Sequence, residues 1–172
     1  MDALNEFRPD IPALEEALSL HTYLNLLDEK NKQMEIVSGE WIVRHDLILP
    51  QDYSLVIHEG TTLKFVDDAI LYTTGALSFE GTADHPVVLE ALNERWPGMV
   101  VIRAEEESVL EHTIIRDTAS IQRGGWILTG GITFYESPVK LDHVSIDGTF
   151  AEDSINVVRT TFEFTDSSFV DT

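Results

Sequence analysis

Leu110-Glu111-His112-Thr113-Ile114-Ile115-Arg116-Asp117-Thr118 returns as Leu141-Asp142-His143-Val144-Ser145-Ile146-Asp147-Gly148-Thr149. It returns once more, weaker, as Phe164-Thr165-Asp166-Ser167-Ser168-Phe169-Val170-Asp171-Thr172. The shared frame is apolar, any, His or Asp, any, any, Ile or Phe, any, any, Thr. The copies are offset by 31 and 23 residues, so the longer spacing reads as a 23-residue unit carrying an eight-residue insertion. A repeat of this length, built from short β-type runs, specifies a solenoid.

Earlier runs keep the same beat. Trp41, Val43, Leu47 and Leu49 alternate until Pro50-Gln51-Asp52 breaks the run. Leu55 and Ile57 lead to Glu59-Gly60-Thr61, and Leu77 and Phe79 lead to Glu80-Gly81-Thr82. Leu55 to Leu77 spans 22 residues and Gly60 to Gly81 spans 21, which predicts a steady coil length. Strands this short bury little alone. Stacked in parallel about 4.8 Å apart, they turn their inward side chains into one apolar column. Alternation sends Leu110, Leu141 and Phe164 inward at one level, and Ile115, Ile146 and Phe169 at another. Gly-Thr and Asp-Thr pairs mark corners, where positive φ and a hydroxyl that bonds the turn are useful.

Residues 1–37 read differently. Pro12 precedes Ala13-Leu14-Glu15-Glu16-Ala17-Leu18, good helix formers with Leu14 and Leu18 on one face. Thr22–Leu27 and Met34–Val37 flank a polar stretch and predict a β-hairpin. A solenoid needs its end strands covered, so residues 1–37 are expected to form an N-terminal cap of helix plus hairpin. Residues 38–172 are expected to form the coils. The fold class is all-β, a single-stranded, right-handed parallel β-helix.

Thirty-one acidic against 11 basic residues give a net charge of -20. Such a surface repels phosphate backbones, which argues against nucleic-acid binding and against anionic membranes. There is no cysteine, hence no disulfide framework and no thiolate metal site. No apolar run reaches the roughly 18 residues of a membrane span. Met1–Glu6 lack the basic and apolar regions of a signal peptide, so export would imply a leader already removed.

Gly39-Glu40-Trp41 through Glu59-Gly60-Thr61-Thr62-Leu63, and Trp96-Pro97-Gly98 followed by Val100-Val101-Ile102, resemble right-handed parallel β-helix proteins of the pectate-lyase-like superfamily. Gly130–Val139 and Ala151–Asn156 are similar to one uncharacterised branch of it. The resemblance covers about residues 35–172. It implies the fold, and it is compatible with lyases, hydrolases, epimerases and non-catalytic surface proteins. It also implies further coils beyond Thr172, so the last coil is expected to be uncapped and open to self-association.

Four residues are candidates for catalysis: Asp117, Glu152, Asp153 and Arg159. Lyase chemistry needs a base for the proton α to a uronate carboxyl and a cation to neutralise that carboxyl. An Arg base is implied only by likeness to pectate lyases, since its ordinary pKa makes it a poor one. Glycoside hydrolysis needs two carboxyls about 5–9 Å apart. Glu152, Asp153 and Asn156 are also candidate Ca²⁺ ligands, being hard oxygen donors. The plainer reading makes Ala151-Glu152-Asp153 a turn and Asn156 a corner residue bonding to backbone.

His112 and His143 share one repeat position, filled by Asp166 in the third copy. An outward polar column is the plainer reading, and a transition-metal site needs more ligands than two histidines. Trp126, within the insertion after Gly124-Gly125, and Tyr135 are candidate sugar-binding residues, with Trp96 and Phe134 as possible companions in a stacking platform. The serines lack a nucleophile-elbow context, and the glycine pairs lack the strand–loop–helix frame of a phosphate cradle.

The expected function is a non-catalytic module of a larger secreted or cell-surface protein, binding carbohydrate or serving as a scaffold. The competing expectation is a polysaccharide lyase or hydrolase acting on an acidic glycan, with calcium as a possible cofactor.

Overall fold

The computed structural model describes residues 9–123 and 126–170. Gly124-Gly125 and the closing Asp171-Thr172 of the third repeat copy lie outside the described residues, as does the side chain of Trp126. The chain forms a β-solenoid of about six turns with parallel stacked coils. One short helix, α1 (Leu14–Leu20), and strand β1 (Leu24–Asp28) precede it. Among the described residues no helix is long and apolar enough to cross a membrane.

Each coil has three faces. The first carries β2 (Gln33–Ile36), β5 (Ser54–His58), β8 (Leu77–Glu80), the first half of β11 (Ser108–Arg116), the first half of β15 (Val139–Asp147) and β17 (Phe162–Thr165). The second carries β3 (Gly39–Val43), β6 (Thr61–Phe65), β9 (Val87–Ala91), the second halves of β11 and β15, and β18 (Ser168–Val170). The third carries β4 (Leu47–Ile48), β7 (Leu71–Thr73), β10 (Met99–Ile102), β14 (Gly130–Tyr135) and β16 (Asp153–Val158). Two further strands, β12 (Ile121–Arg123) and β13 (Trp126–Leu128), form a separate antiparallel hairpin.

The predicted columns are present. Ile36, Ile57, Phe79, Leu110, Leu141 and Phe164 stand in register through six successive coils. Leu63, Leu89, Ile115, Ile146 and Phe169 do the same on the second face. With Leu71, Met99 and Ile132 from the third face, all of these but Phe169 belong to one continuous inner core, against which Phe164 is half-buried; Phe169 is exposed. β1 pairs antiparallel with β2, and β2 pairs in parallel with β5, so the hairpin arm is also the first rung of the stack.

Coil length is less steady than the sequence predicts. Leu63 pairs with Leu89, 26 residues on, and Val109 pairs with Ser78, 31 residues back. The third coil turns from first face to second through the six residues 81–86, so Gly60 donates to the carbonyl of His85 rather than aligning with Gly81. In the next two coils a single residue makes that turn. His112 and His143 adopt φ of 41° and 55°, and Asp166 repeats the conformation at 47°. The shared third position of the repeat is therefore a left-handed corner.

The eight-residue insertion is not a free loop. It forms the β12–β13 hairpin, whose Ile121 and Leu128 bury against Ile70, Tyr72, Val100, Ile102 and Tyr135. Those five point outward from the third face, so that face is apolar on both sides, as in sheets covered twice. Burying Ile121 and Leu128 contributes at most about 1.5–3 kcal/mol each. Arg123, at the end of β12, reaches back to the Asp46 carboxylate and the Asp68 carbonyl in the first coils.

Candidate functional site

Three of the candidate residues share one side of the solenoid. Asp117 lies on the turn from second to third face, and Glu152 and Asp153 lie where the same turn of the next coil enters β16. Asp117 takes a left-handed φ of 62°, and the equivalent Gly148 takes 64°. A Cβ on Gly148 would approach Asp117 Oδ1 to 3.1 Å. Burial pushes the Asp117 carboxyl above its ordinary range and nearby Asp147 adds to this, while the Ala91 backbone and Arg116 pull the other way. Thr118 and Thr149 stack behind this corner, their hydroxyls 3.1 Å apart.

Glu152 and Asp153 are exposed. The Asn156 amide, with its oxygen toward Gly130, accepts from the Gly130 amide at 3.0 Å and donates to Asp153 Oδ2 at 3.2 Å. Asn156 thus bonds backbone at a coil edge and touches one of its two proposed calcium companions. Arg159 lies beyond the opposite end of β16. It is 3.8 Å from Glu136 Oε1 and donates to the Tyr135 hydroxyl at 2.9 Å. Glu136 accepts from Arg103 Nε at 2.9 Å. Arg103, Glu136 and Arg159 all have positive φ, and their side chains pair as a ladder of alternating charge. The strand separates Arg159 from the three carboxylates.

The aromatic candidates turn into the protein. Tyr135 is buried in the outer core, and Phe134 in the inner one. Trp96 is also fully buried, its ring stacked on Phe65. None of these three offers a ring face to a ligand. For Trp126 only the backbone is described, in register with Arg123.

Two cavities lie elsewhere on the same side. An open cavity of about 440 Å³ lies between α1, the first coils and Arg123, with His21, Arg44, His45 and Asp68 in its lining. A neighbouring cavity of about 400 Å³ is lined by Asp67, Asp68, Arg95, Ser120, Gln122, Arg123 and Phe150, among others. The two meet at Asp68 and Arg123 and form a groove beside the hairpin. Phe150 is 52% exposed, and the Arg95 guanidinium sits 5.9 Å from its ring centre. His21 is buried at the inner end, bonded to the Tyr23 hydroxyl at 2.8 Å and to the Asp46 carbonyl at 3.0 Å. Burial lowers the pKa of this imidazole and raises that of the Tyr23 phenol.

Sequence reading did not single out Phe150, Arg95 or Arg123. Phe150 had a usable signal, because a large aromatic directly after the turn residues Gly148-Thr149 has no strand to pack it. Arg95 and Arg123 had none. Their partners come from other coils, at separations that no repeat marks. Comparison of the chain with protein-family models, with curated proteins and with solved structures found no match in any of the three.

Proposed function

We propose that this chain is a non-catalytic β-solenoid module that binds carbohydrate in the groove between the β12–β13 hairpin and the turns from second to third face. The observation that carries the reading is the exposed Phe150 ring, with Arg95 beside it, at the edge of a polar cavity of about 400 Å³. A pyranose presents C–H groups on one face and hydroxyls around its rim. It needs a flat apolar ring to lie on and hydrogen-bonding groups beside that ring. Asp67, Ser120, Gln122 and Arg95 supply the second requirement.

Non-catalytic action is supported by how the candidate residues are engaged. Asn156 holds a backbone amide, and Arg159 is tied into the Glu136–Tyr135 corner. A right-handed, pectate-lyase-like solenoid within a larger secreted or surface protein belongs to the same proposal. Handedness is supported by the strong preference of parallel crossovers.

One observation favours a second reading. Asp117, with a raised pKa and Asp147 nearby, has the character of a general acid. That would suit hydrolysis or elimination on an acidic glycan.

Titration with a panel of neutral and acidic oligosaccharides tests both. The binding reading expects saturable binding that Phe150→Ala or Arg95→Ala weakens about tenfold, with an unchanged melting temperature. Binding that ignores both substitutions overturns it. Release of unsaturated uronides or reducing ends, abolished by Asp117→Asn or Asp153→Asn in a folded protein, would replace it with the enzymatic one.

A further inference from the structure

On the corner between first and second faces, three successive coils place His112, His143 and Asp166 one above another. The rings of His112 and His143 stack with centres 4.6 Å apart. Asp142, the residue before the second corner, bonds His143 Nδ1 at 2.6 Å. His143 Nε2 then faces Asp166 Oδ2 at 3.9 Å. One donor atom from each of Asp142, His143 and Asp166 falls within a 4.8 Å set.

We propose that this corner binds a borderline divalent transition metal of the Zn²⁺ class, with His143 Nε2 and Asp166 as its two protein ligands and water in the remaining positions. Three features carry the proposal. The donor set is mixed imidazole and carboxylate, which suits Zn²⁺ and its neighbours rather than Ca²⁺. A carboxylate on Nδ1 fixes the tautomer that leaves Nε2 free to ligate, the usual arrangement behind a metal-bound histidine. The span is also close to what is needed. Ligands about 2.0–2.1 Å from a tetrahedral ion lie about 3.4 Å apart, so a shift of about half an ångström in the exposed Asp166 side chain brings these two donors to chelating distance. His112 brings a second imidazole against the first, from the preceding coil. The ion would tie the last coil, through Asp166, to the coil beneath it. The site is independent of the carbohydrate groove.

The test is calorimetric titration of protein free of any histidine tag with Zn²⁺, alongside NMR of the imidazole nitrogens. The expected result is one equivalent per chain, with His143 Nε2 the most shifted nitrogen and a raised melting temperature. His143→Asn and Asp166→Asn should each abolish saturable binding, and Asn tolerates the left-handed corner, so both variants keep the fold. Asp142→Ala should weaken binding about tenfold or more through the imidazole it orients. His85→Ala, at an exposed histidine elsewhere, should change nothing. No saturable binding, binding unaffected by the His143 and Asp166 variants, or a response centred on another histidine overturns the proposal.

Discussion

The indole of Trp96 lies flat on the ring of Phe65, with centres 4.0 Å apart and planes 14° from parallel. Both side chains are fully buried, and the indole N–H donates to the Arg116 carbonyl at 2.8 Å. The pair fills the core beneath the turn from second to third face, in adjacent coils, and so underpins the wall of the candidate groove.

Trp96→Ala is therefore expected to destabilise the protein by about 3–5 kcal/mol, because it removes the stacked ring and leaves a cavity. Trp96→Phe should lose less, since it keeps a ring on Phe65 and gives up the hydrogen bond to Arg116. Urea unfolding monitored by circular dichroism measures both. Equal losses in the two variants would show that the stacked area is not what matters.

Arg123 Nη1 and Nη2 donate to the two oxygens of Asp46 at 2.6 and 3.0 Å. Both side chains are about one-third exposed, which limits the worth of the pair. Arg123→Ala should lower stability by about 1–2 kcal/mol. It should also make residues 121–128 the first site of limited proteolysis. A cleavage pattern identical to that of the parent protein would mean that the apolar contacts of Ile121 and Leu128 alone hold the hairpin down.

The pH dependence has a definite sign at His21. Its folded pKa lies below the ordinary 6.5 because burial opposes the charged form. The unfolded chain therefore takes up the proton first as pH falls. The contribution of neutral His21 is intact above pH 6.5 and is lost progressively below it, until the folded pKa is passed. Asp117 acts with the opposite sign. Its folded pKa is raised, so protonation near and above its ordinary 3.8 favours the folded state. Urea midpoints at pH 7.5 and 5.5 should show a drop that is smaller in His21→Gln. An identical drop in both proteins would remove His21 from the account.

At the last coil Phe162 is 61% and Phe169 39% exposed, and Phe164 packs between them at 5.0 and 5.4 Å. These rings continue the inner columns, with no further strand on their outer side among the described residues. We propose self-association through these exposed rings, strengthening as salt screens the net charge of -20. Phe169→Glu should abolish it. Sedimentation velocity at low and high salt reads the effect, and a monomer at every salt and protein concentration would refute it.

Much of the fold was legible because alternation is a local property. Leu110, Leu141 and Phe164 declare their level by apolar spacing alone, and the pairing of β11, β15 and β17 follows from it. Corner width is not local. Gly60 and Gly81 look equivalent in sequence, yet the longer turn over residues 81–86 makes Val88 the second-face partner of Thr62. The insertion was visible, but its packing was not, since Ile121 and Leu128 show no sign of meeting Tyr72 and Val100. For the candidate site, the common side of Asp117, Glu152 and Asp153 follows from the repeat. The isolation of Arg159 follows from its place beyond the far end of β16, a position fixed only once the turn before that strand is known.

The hairpin laid along the third face changes how the whole stack comes apart. A plain solenoid behaves as a one-dimensional array in which each repeat feels only its neighbours, so terminal repeats can fray while the middle stays folded. Here a segment inserted after the fourth second-face strand is fastened to Asp46 and Asp68 in the first coils. Opening the early coils must break that clasp, and lifting the clasp bares the outer side of the middle coils. Early and middle coils are thereby joined into one cooperative unit, and only the coils beyond the hairpin keep the freedom to melt on their own.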